Sequence, residues 1–153
     1  YFKEGKISYF NILEDNNMCI GVFCLSKGSR LSLHDHPSMM VLSKILEGKI
    51  QRRNMDLVNR SEQFKFAKKV YLDNDLSSIG TILDAKLESD RIFTTGDIMH
   101  LAPYKGNIHS FYAMEDTALL DILLPNYDNE ERFCNFYYEL DPDTDFYEAG
   151  IDP

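Results

Sequence analysis

The sequence predicts an all-β fold of the sandwich or barrel type. Segments with the apolar period of a helix are scarce along the 153 residues. Turn signals recur at short intervals instead, as in Glu47-Gly48-Lys49 and Thr95-Gly96-Asp97. Between them lie short runs rich in Ile, Val, Leu, Phe and Tyr, which favour strands. Short apolar runs separated by close turns are typical of sheets that pack face to face or close on themselves.

Nine runs fit this description, and turn residues separate or follow most of them. In chain order, the predicted strands are Ile7–Leu13, Met18–Leu25, Met39–Glu47, Ile50–Leu57, Lys65–Leu72, Ile79–Leu87, Arg91–Ile98, Ile108–Ala113 and Ala118–Leu124. The turn signals along the same path are Asn16-Asn17, Lys27-Gly28-Ser29, Gly48, Asp73-Asn74-Asp75, Gly96, Lys105-Gly106-Asn107 and Pro125-Asn126. The stretch Asp56–Phe93 is polar, and we expect it to form surface hairpins.

Length and composition favour one soluble domain over residues 1–153. The net charge of −9 argues against nucleic-acid binding, which needs a basic patch. No apolar run approaches the length of a membrane span. The three cysteines form no CxxC pair, and their odd number fits a reducing compartment, so we expect a protein of the cytoplasm or nucleus. Because the chain begins at Tyr1, we expect that the native N-terminus is missing.

Three histidines predict a metal site. His34 and His36 are separated by one residue, and successive side chains on a strand alternate between faces. Both imidazoles should therefore project to one side, with Asp35 on the other. His109 follows the turn Lys105-Gly106-Asn107 and is a candidate third ligand. Three neutral nitrogen ligands with open coordination positions would make a reactive metal centre.

The glycines and prolines around these histidines resemble the two signature motifs of the cupin superfamily. Gly28, His34, His36 and Gly48 match the spacing of the first motif, G-x5-H-x-H-x3-4-E-x6-G. The sequence Gly96, Pro103, Gly106, His109 follows the second motif, with one extra residue on each side of the proline. Many cupins carry a metal-binding glutamate after the histidine pair, but this chain has Met40-Val41 there. The ligand set is then three histidines, which leave the full charge of the ion to other ligands.

Four ordered blocks resemble the cysteamine dioxygenase and plant cysteine oxidase family. His34 through Gly48 reads HDHPSMMVLSKILEG, with Ser38 in place of the glycine of the family segment. Gly106 through His109 matches G-N-I-H. The other two blocks are 120–127, LDILLPNY, and 132–138, RFCNFYY.

This resemblance implies a cupin-type double-stranded β-helix that holds Fe(II) through His34, His36 and His109. The implied activity is that of a thiol dioxygenase, which adds both atoms of O2 to cysteamine or to a protein's N-terminal cysteine and gives a sulfinic acid. Oxidation of such a cysteine leads to an arginine-linked degradation route, so the enzyme can act as an oxygen sensor. The resemblance also suggests a monomer.

Three further residues are candidate site residues within these blocks. Asp121 lies in the apolar run 118–124, where a charge should face inward to a partner; the alternative is an edge position in water. We expect its carboxylate to bind the substrate amine or to orient a ligand histidine. The Tyr127 hydroxyl is a candidate donor to bound substrate or oxygen species, or else a packing residue. Cys134 matches a family cysteine that, in some relatives, is cross-linked to a tyrosine two residues on; here that position is Phe136.

Two other functions stay open at this point. A cupin with zinc, which also accepts three histidines, would be an isomerase or a ligand-binding module. A regulatory protein would bind N-terminal cysteines without oxidising them. Arg52 and Arg53 are candidate contacts for an acidic peptide, although a solvated strand face is the simpler interpretation of both.

Overall fold

Eleven β-strands make up the architecture of the chain in the computed structural model, which describes residues 1–58, 68–73, 81–128 and 131–140. The strands, in chain order, are β1 Ile7–Glu14, β2 Cys19–Leu25, β3 Arg30–His34, β4 Met40–Glu47, β5 Lys49–Leu57, β6 Lys68–Asp73, β7 Thr81–Thr94, β8 Ile98–Leu101, β9 Ile108–Ala113, β10 Thr117–Leu124 and β11 Phe136–Glu139. Within the described part of the chain, no helix is long and apolar enough to cross a membrane.

The strands form two antiparallel sheets. The first sheet has the order β1-β2-β10-β4-β8. The second has the order β11-β3-β9-β5-β7-β6, and it closes on itself because β11 also pairs with β6. This arrangement confirms the all-β prediction.

The buried face of each sheet follows from the alternation of side chains along its strands. On β4 and β10 every second residue is buried. One core cluster joins residues of both sheets: Leu25, Ile45, Ile50, Met99, Phe111, Ala113 and Leu119. A second cluster, on the opposite face of β9, contains Leu33, Met55, Ala85, Ile108 and Tyr137. The inner positions of β9 and β10 also carry two polar groups, His109 and Asp121, which are both buried.

Most predicted strands are present, but the stretch after β5 differs. The strand predicted at Ile79–Leu87 and the first part of the strand predicted at Arg91–Ile98 belong to one continuous strand, β7, whose middle is polar and which ends at Thr94. That middle pairs with β5 with a bulge at Glu88, and Asp90 accepts a hydrogen bond from Gln51 at 2.7 Å and pairs with Arg53. The remainder of the hairpins expected within Asp56–Phe93, residues 59–67 and 74–80, lies outside the described residues.

A β-bulge in β3 sets which residues face inward near the histidines. Leu31 is paired with Phe111, but the next pair is His34 with His109, so β3 contains one residue more than β9 between the two rungs. In a regular ladder Leu33 would take the place opposite His109. The extra residue moves Leu33 to the second core cluster and turns His34 to the inside.

Candidate metal centre

The three predicted ligand histidines converge in the interior. His34 ends β3, His36 follows two residues later, and His109 lies on β9 directly opposite His34. The Nε2 atom of His109 lies 3.0 Å from that of His36 and 3.2 Å from that of His34. All three side chains are buried, at 7% exposure or less. The alternation predicted for His34, Asp35 and His36 is therefore present.

The proton of His34 is fixed by a backbone carbonyl. Its Nδ1 lies 2.7 Å from the oxygen of Ser32. A carbonyl oxygen only accepts hydrogen bonds, so Nδ1 carries the proton. In the neutral ring, Nε2 then carries a free lone pair and points toward the other two histidines.

Tyr127 fixes His36 in the same way. The tyrosine hydroxyl lies 2.6 Å from the carbonyl oxygen of Asp35 and 2.6 Å from Nδ1 of His36. It has one proton, which the carbonyl must accept, so Nδ1 of His36 donates to the hydroxyl oxygen. Its Nε2 therefore also carries a free lone pair. The hydroxyl expected to meet substrate lies behind the ligand ring, and burial raises the pKa of Tyr127 above its ordinary value.

His109 supplies the third nitrogen, but no hydrogen bond to its Nδ1 fixes its tautomer. Its ring packs on Phe111 at 4.7 Å between centroids, and Nδ1 is buried with no hydrogen-bonding partner among the described residues. Burial lowers the pKa of all three histidines: that of His36 falls to about 3 and that of His109 lies well below its ordinary value. The imidazoles are therefore neutral near pH 7, the state that ligates metals.

The turn before β9 is held by two polar side chains that the sequence analysis did not single out. Asp56 accepts hydrogen bonds from the backbone N–H groups of Gly106 (2.8 Å) and Asn107 (3.1 Å). The Asn107 side chain then accepts from the backbone N–H of His36 at 2.9 Å and donates to its carbonyl at 2.8 Å. The amide thus ties His36 to the turn that leads into His109. An Asn following Gly in a turn was the available signal.

Asp35 anchors the segment 132–138 to the histidine pair. Its carboxylate accepts hydrogen bonds from the backbone and side chain of Asn135 and, at 2.8 Å, from the Tyr137 hydroxyl. These contacts bring Cys134 to the Tyr127 hydroxyl, with which its thiol interacts. Burial raises the pKa of Cys134, so the structure gives it the environment of a neutral thiol.

Asp121 lies on the inner face of β10, as the apolar run around it predicted. It is 5% exposed, and its side chain is hydrogen-bonded to Ser43 on β4. Oδ1 is buried with no partner among the described residues. Burial raises the pKa of Asp121 to about 7, against the opposing effects of Ser43 and of Arg52.

Arg52 is not on a solvated strand face. Its Nε is buried, its Nη1 donates to the carbonyl of His100 on β8 at 3.3 Å, and its guanidinium lies 5.2 Å from the ring centre of Phe93. The expectation of a solvated face holds better for Arg53, which pairs with Glu139 at 2.7 Å on the opposite face of β5. The sequence does not show this difference, because two consecutive arginines on a strand point to opposite faces and the sequence does not say which face is buried.

The donor set fits one metal ion. The Nε2 atoms of three buried, neutral imidazoles meet at one point, and those of His34 and His36 carry free lone pairs. Nitrogen ligands about 2.1 Å from one ion are about 3.0 Å apart when they meet at a right angle, close to the separations observed here. Among the described residues, no carboxylate or thiolate joins the cluster. His34, His36 and His109 would therefore hold the ion and leave other coordination positions open.

Comparison with known proteins places this site in context. A family model described as PCO_ADO matches residues 2–150. "Plant cysteine oxidase 1" of Arabidopsis thaliana is 34% identical over 137 residues, which are 88% of this chain and 42% of that protein. "Probable 2-aminoethanethiol dioxygenase" of Dictyostelium discoideum is 31% identical over 135 residues, 86% of this chain and 56% of that one. The chain thus spans about half the length of the curated relatives it matches.

A solved cupin superfamily protein from Desulfitobacterium hafniense superposes with a TM-score of 0.52. The match covers 81% of this chain and 82% of that one, at 13% identity. The likeness concerns the fold alone, and it confirms the predicted cupin-type double-stranded β-helix.

Proposed function

The chain belongs to the PCO_ADO family, and on this premise we propose that it is an Fe(II)-dependent thiol dioxygenase. The reaction joins both atoms of O2 to a thiol sulfur and gives the sulfinic acid, R–SH + O2 → R–SO2H. The observation that carries the proposal is the convergence of three neutral imidazole nitrogens with no carboxylate beside them. Such a set leaves the charge of a divalent ion to attract a thiolate, and it leaves room for a second ligand.

The chain's own residues hold and orient the reacting groups. A bound ferrous ion supplies the redox chemistry and favours the thiolate form of the substrate. Ser32 and Tyr127 fix the tautomers of His34 and His36, so that Nε2 is always the free nitrogen. Phe111 packs on His109, and the burial of all three rings keeps water from their nitrogens.

Asp121 makes an amine-bearing thiol the best substrate. Its Oδ1 is a buried acceptor without a partner, and a substrate ammonium group would satisfy it. Cysteamine and an N-terminal cysteine both present an amine two carbons from the sulfur, and the relatives are named for cysteine oxidation and for 2-aminoethanethiol dioxygenation. Where the thiol is a protein's N-terminal cysteine, the reaction would direct that protein to arginine-linked degradation and make the enzyme an oxygen sensor.

The test combines metal analysis with product mass. Protein purified without oxygen should contain iron, and in air it should add two oxygen atoms to a Cys-initiated peptide or to cysteamine, with matching O2 uptake. His109→Ala should lose both bound iron and O2 uptake. His100→Ala is the matched control for iron retention, because His100 is exposed and outside the cluster.

Three results would contradict the proposal. Turnover that survives in His109→Ala would remove the metal centre from the reaction. Zinc in the purified protein, without O2 uptake, would favour the isomerase or ligand-binding alternative. A peptide that binds but keeps its mass would favour the regulatory alternative.

A further inference from the structure

Arg52 and the metal centre share one face of the second sheet. Asn54 on β5 is paired with His109 on β9, and Arg52 is paired with Phe111 two rungs away. Paired residues of adjacent strands project to the same side, and Phe111 belongs to the core between the sheets. Arg52 is therefore the diagonal neighbour of His109, at about 7–8 Å between Cα atoms for this arrangement.

The guanidinium group is held in place, yet it is incompletely paired. Its Nη1 bridges to the first sheet through the His100 carbonyl, and Phe93 lies against its plane. Its Nε is buried and has no partner among the described residues. A buried N–H donor without an acceptor is costly, so the atom is a position where an oxygen would bind favourably.

The charge of Arg52 influences the pKa values of Asp121 and His109. It opposes the effect of burial on the pKa of Asp121 and adds to the lowering of the pKa of His109. Asp121 presents an unpaired acceptor in the same interior, while Arg52 presents an unpaired donor. The two do not neutralise each other directly, since no ion pair joins them within 4.0 Å among the described residues.

Space for a ligand exists beside this group. A cavity of about 330 Å³ opens between β5 and β8, and it is lined by Arg52, Asn54, Glu88, His100, Lys105 and Gly106. Asn54 connects the cavity to the rung of His109. The lining has two cationic residues, Arg52 and Lys105, against one acidic residue, Glu88, which is already paired with Lys86, so the cavity favours an anionic or strongly hydrogen-bond-accepting group.

We infer that Arg52 binds the oxygen that a cysteine residue carries on its α-carbon substituent, and that this contact selects cysteine and cysteinyl peptides over cysteamine. Free cysteine offers a carboxylate and an N-terminal cysteine offers an amide carbonyl, whereas cysteamine has neither. Asp121 then receives the amine and Arg52 the oxygen, so the two unpaired atoms are satisfied by one zwitterionic or peptidic substrate. This inference rests on the proposed thiol dioxygenase function.

The experiment compares three thiols: L-cysteine, a Cys-Gly peptide and cysteamine. For each, kcat and KM are measured with the wild-type holoenzyme and with Arg52→Met, which keeps an unbranched side chain of similar length and removes the guanidinium group. Arg53→Met is the matched control, because that neighbouring side chain faces the other side of β5. Iron content and thermal unfolding of each variant establish that the fold and the metal site are intact, and Arg52→Lys, which retains a charge, serves if Arg52→Met does not fold.

Arg52→Met should lower kcat/KM for L-cysteine about 10- to 100-fold more than it lowers that for cysteamine, mainly through KM. A loss confined to L-cysteine would identify the carboxylate as the ligand; a parallel loss for the peptide would identify the shared oxygen. An equal loss on all three thiols would overturn the inference and assign Arg52 to the support of Asp121, and no loss at all would also overturn it.

Failure of the proposed function would be visible separately, as wild-type protein that oxidises none of the three thiols. In that case anaerobic calorimetry of L-cysteine and cysteamine with the iron-loaded protein still decides the inference. Tighter binding of L-cysteine that disappears in Arg52→Met supports it, and equal binding of the two thiols contradicts it.

Discussion

Removing the Tyr127 hydroxyl should weaken metal binding, although the three histidines themselves are unchanged. In Tyr127→Phe the ring that stacks on His36, at 5.1 Å between centroids, is retained. What disappears is the oxygen that lies 2.6 Å from Nδ1 of His36 and 2.6 Å from the Asp35 carbonyl. His36 is then free to place its proton on Nε2, where it would block coordination.

The magnitude follows from the two partners left behind. Asp35 and His36 are 8% and 3% exposed, so water does not replace the hydroxyl easily. Each unpaired buried group costs about 1–3 kcal/mol, and the pair should lower the free energy of unfolding by about 2–6 kcal/mol. Loss of an outer contact to a ligand histidine should lower metal affinity about 10- to 100-fold.

The assay is an anaerobic competition titration of metal-free protein with Fe(II) against a chelating dye, together with urea unfolding. Tyr104→Phe is the control, because Tyr104 is 88% exposed, and it should change neither quantity. An Fe(II) affinity of Tyr127→Phe equal to that of wild type would refute the reasoning. A loss of stability alone would show that the hydroxyl supports the fold and not the tautomer of His36.

Three further predictions concern stability. Ser38→Gly should raise the free energy of unfolding, measured by urea unfolding, by about 0.5–1 kcal/mol. Ser38 has a φ of 58°, which favours glycine, in the turn that the Met39 N–H closes on the His36 carbonyl. A destabilised variant would contradict this prediction. Burial raises the pKa of Asp121 from 3.8 to about 7, so between these values the unfolded chain binds fewer protons and stability falls as pH rises. Metal-free Asp121→Asn should therefore gain up to about 4 kcal/mol over wild type from about pH 4 to pH 8, and parallel pH curves would exclude the effect. Asp35→Ala should lose about 3 kcal/mol, because the Asn135 and Tyr137 donors lose their acceptor; a change below about 1 kcal/mol in urea would argue against that anchor.

The fold was predictable where strands alternate cleanly and turns are marked. β9 begins and ends as predicted, and β2 and β10 differ by one residue at one end. The strands that were not predicted, β3, β8 and β11, are four or five residues long, and their apolar content is interrupted by polar groups. Their stability comes from pairing with distant segments, such as Phe136 with His34, which local pattern does not contain.

The three histidines of the candidate metal centre were predictable from the sequence, but the residues that hold them in place were not. Spacing was enough to identify His34, His36 and His109, because a pleat and a motif determine where those side chains point. Asp56 and Asn107 act through backbone groups far along the chain, so the local sequence of Asp56 on β5 gives no signal of its role and that of Asn107 indicates only a turn. Arg52 was misinterpreted for a related reason, since neighbouring arginines differ only in which face of β5 they occupy.

The bulge in β3 makes the number of residues between Leu31 and His34 more important than their identity. Ser32 contributes its main-chain oxygen to His34, and Leu33 packs on the far side of the sheet, so neither side chain belongs to the histidine cluster. Many residue types are therefore compatible with the site at position 32, but the number of residues between Leu31 and His34 is not free to vary. Deletion of one residue here would turn the His34 side chain away from the interior. Substitutions in this stretch are therefore compatible with the site, but a change in its length is not.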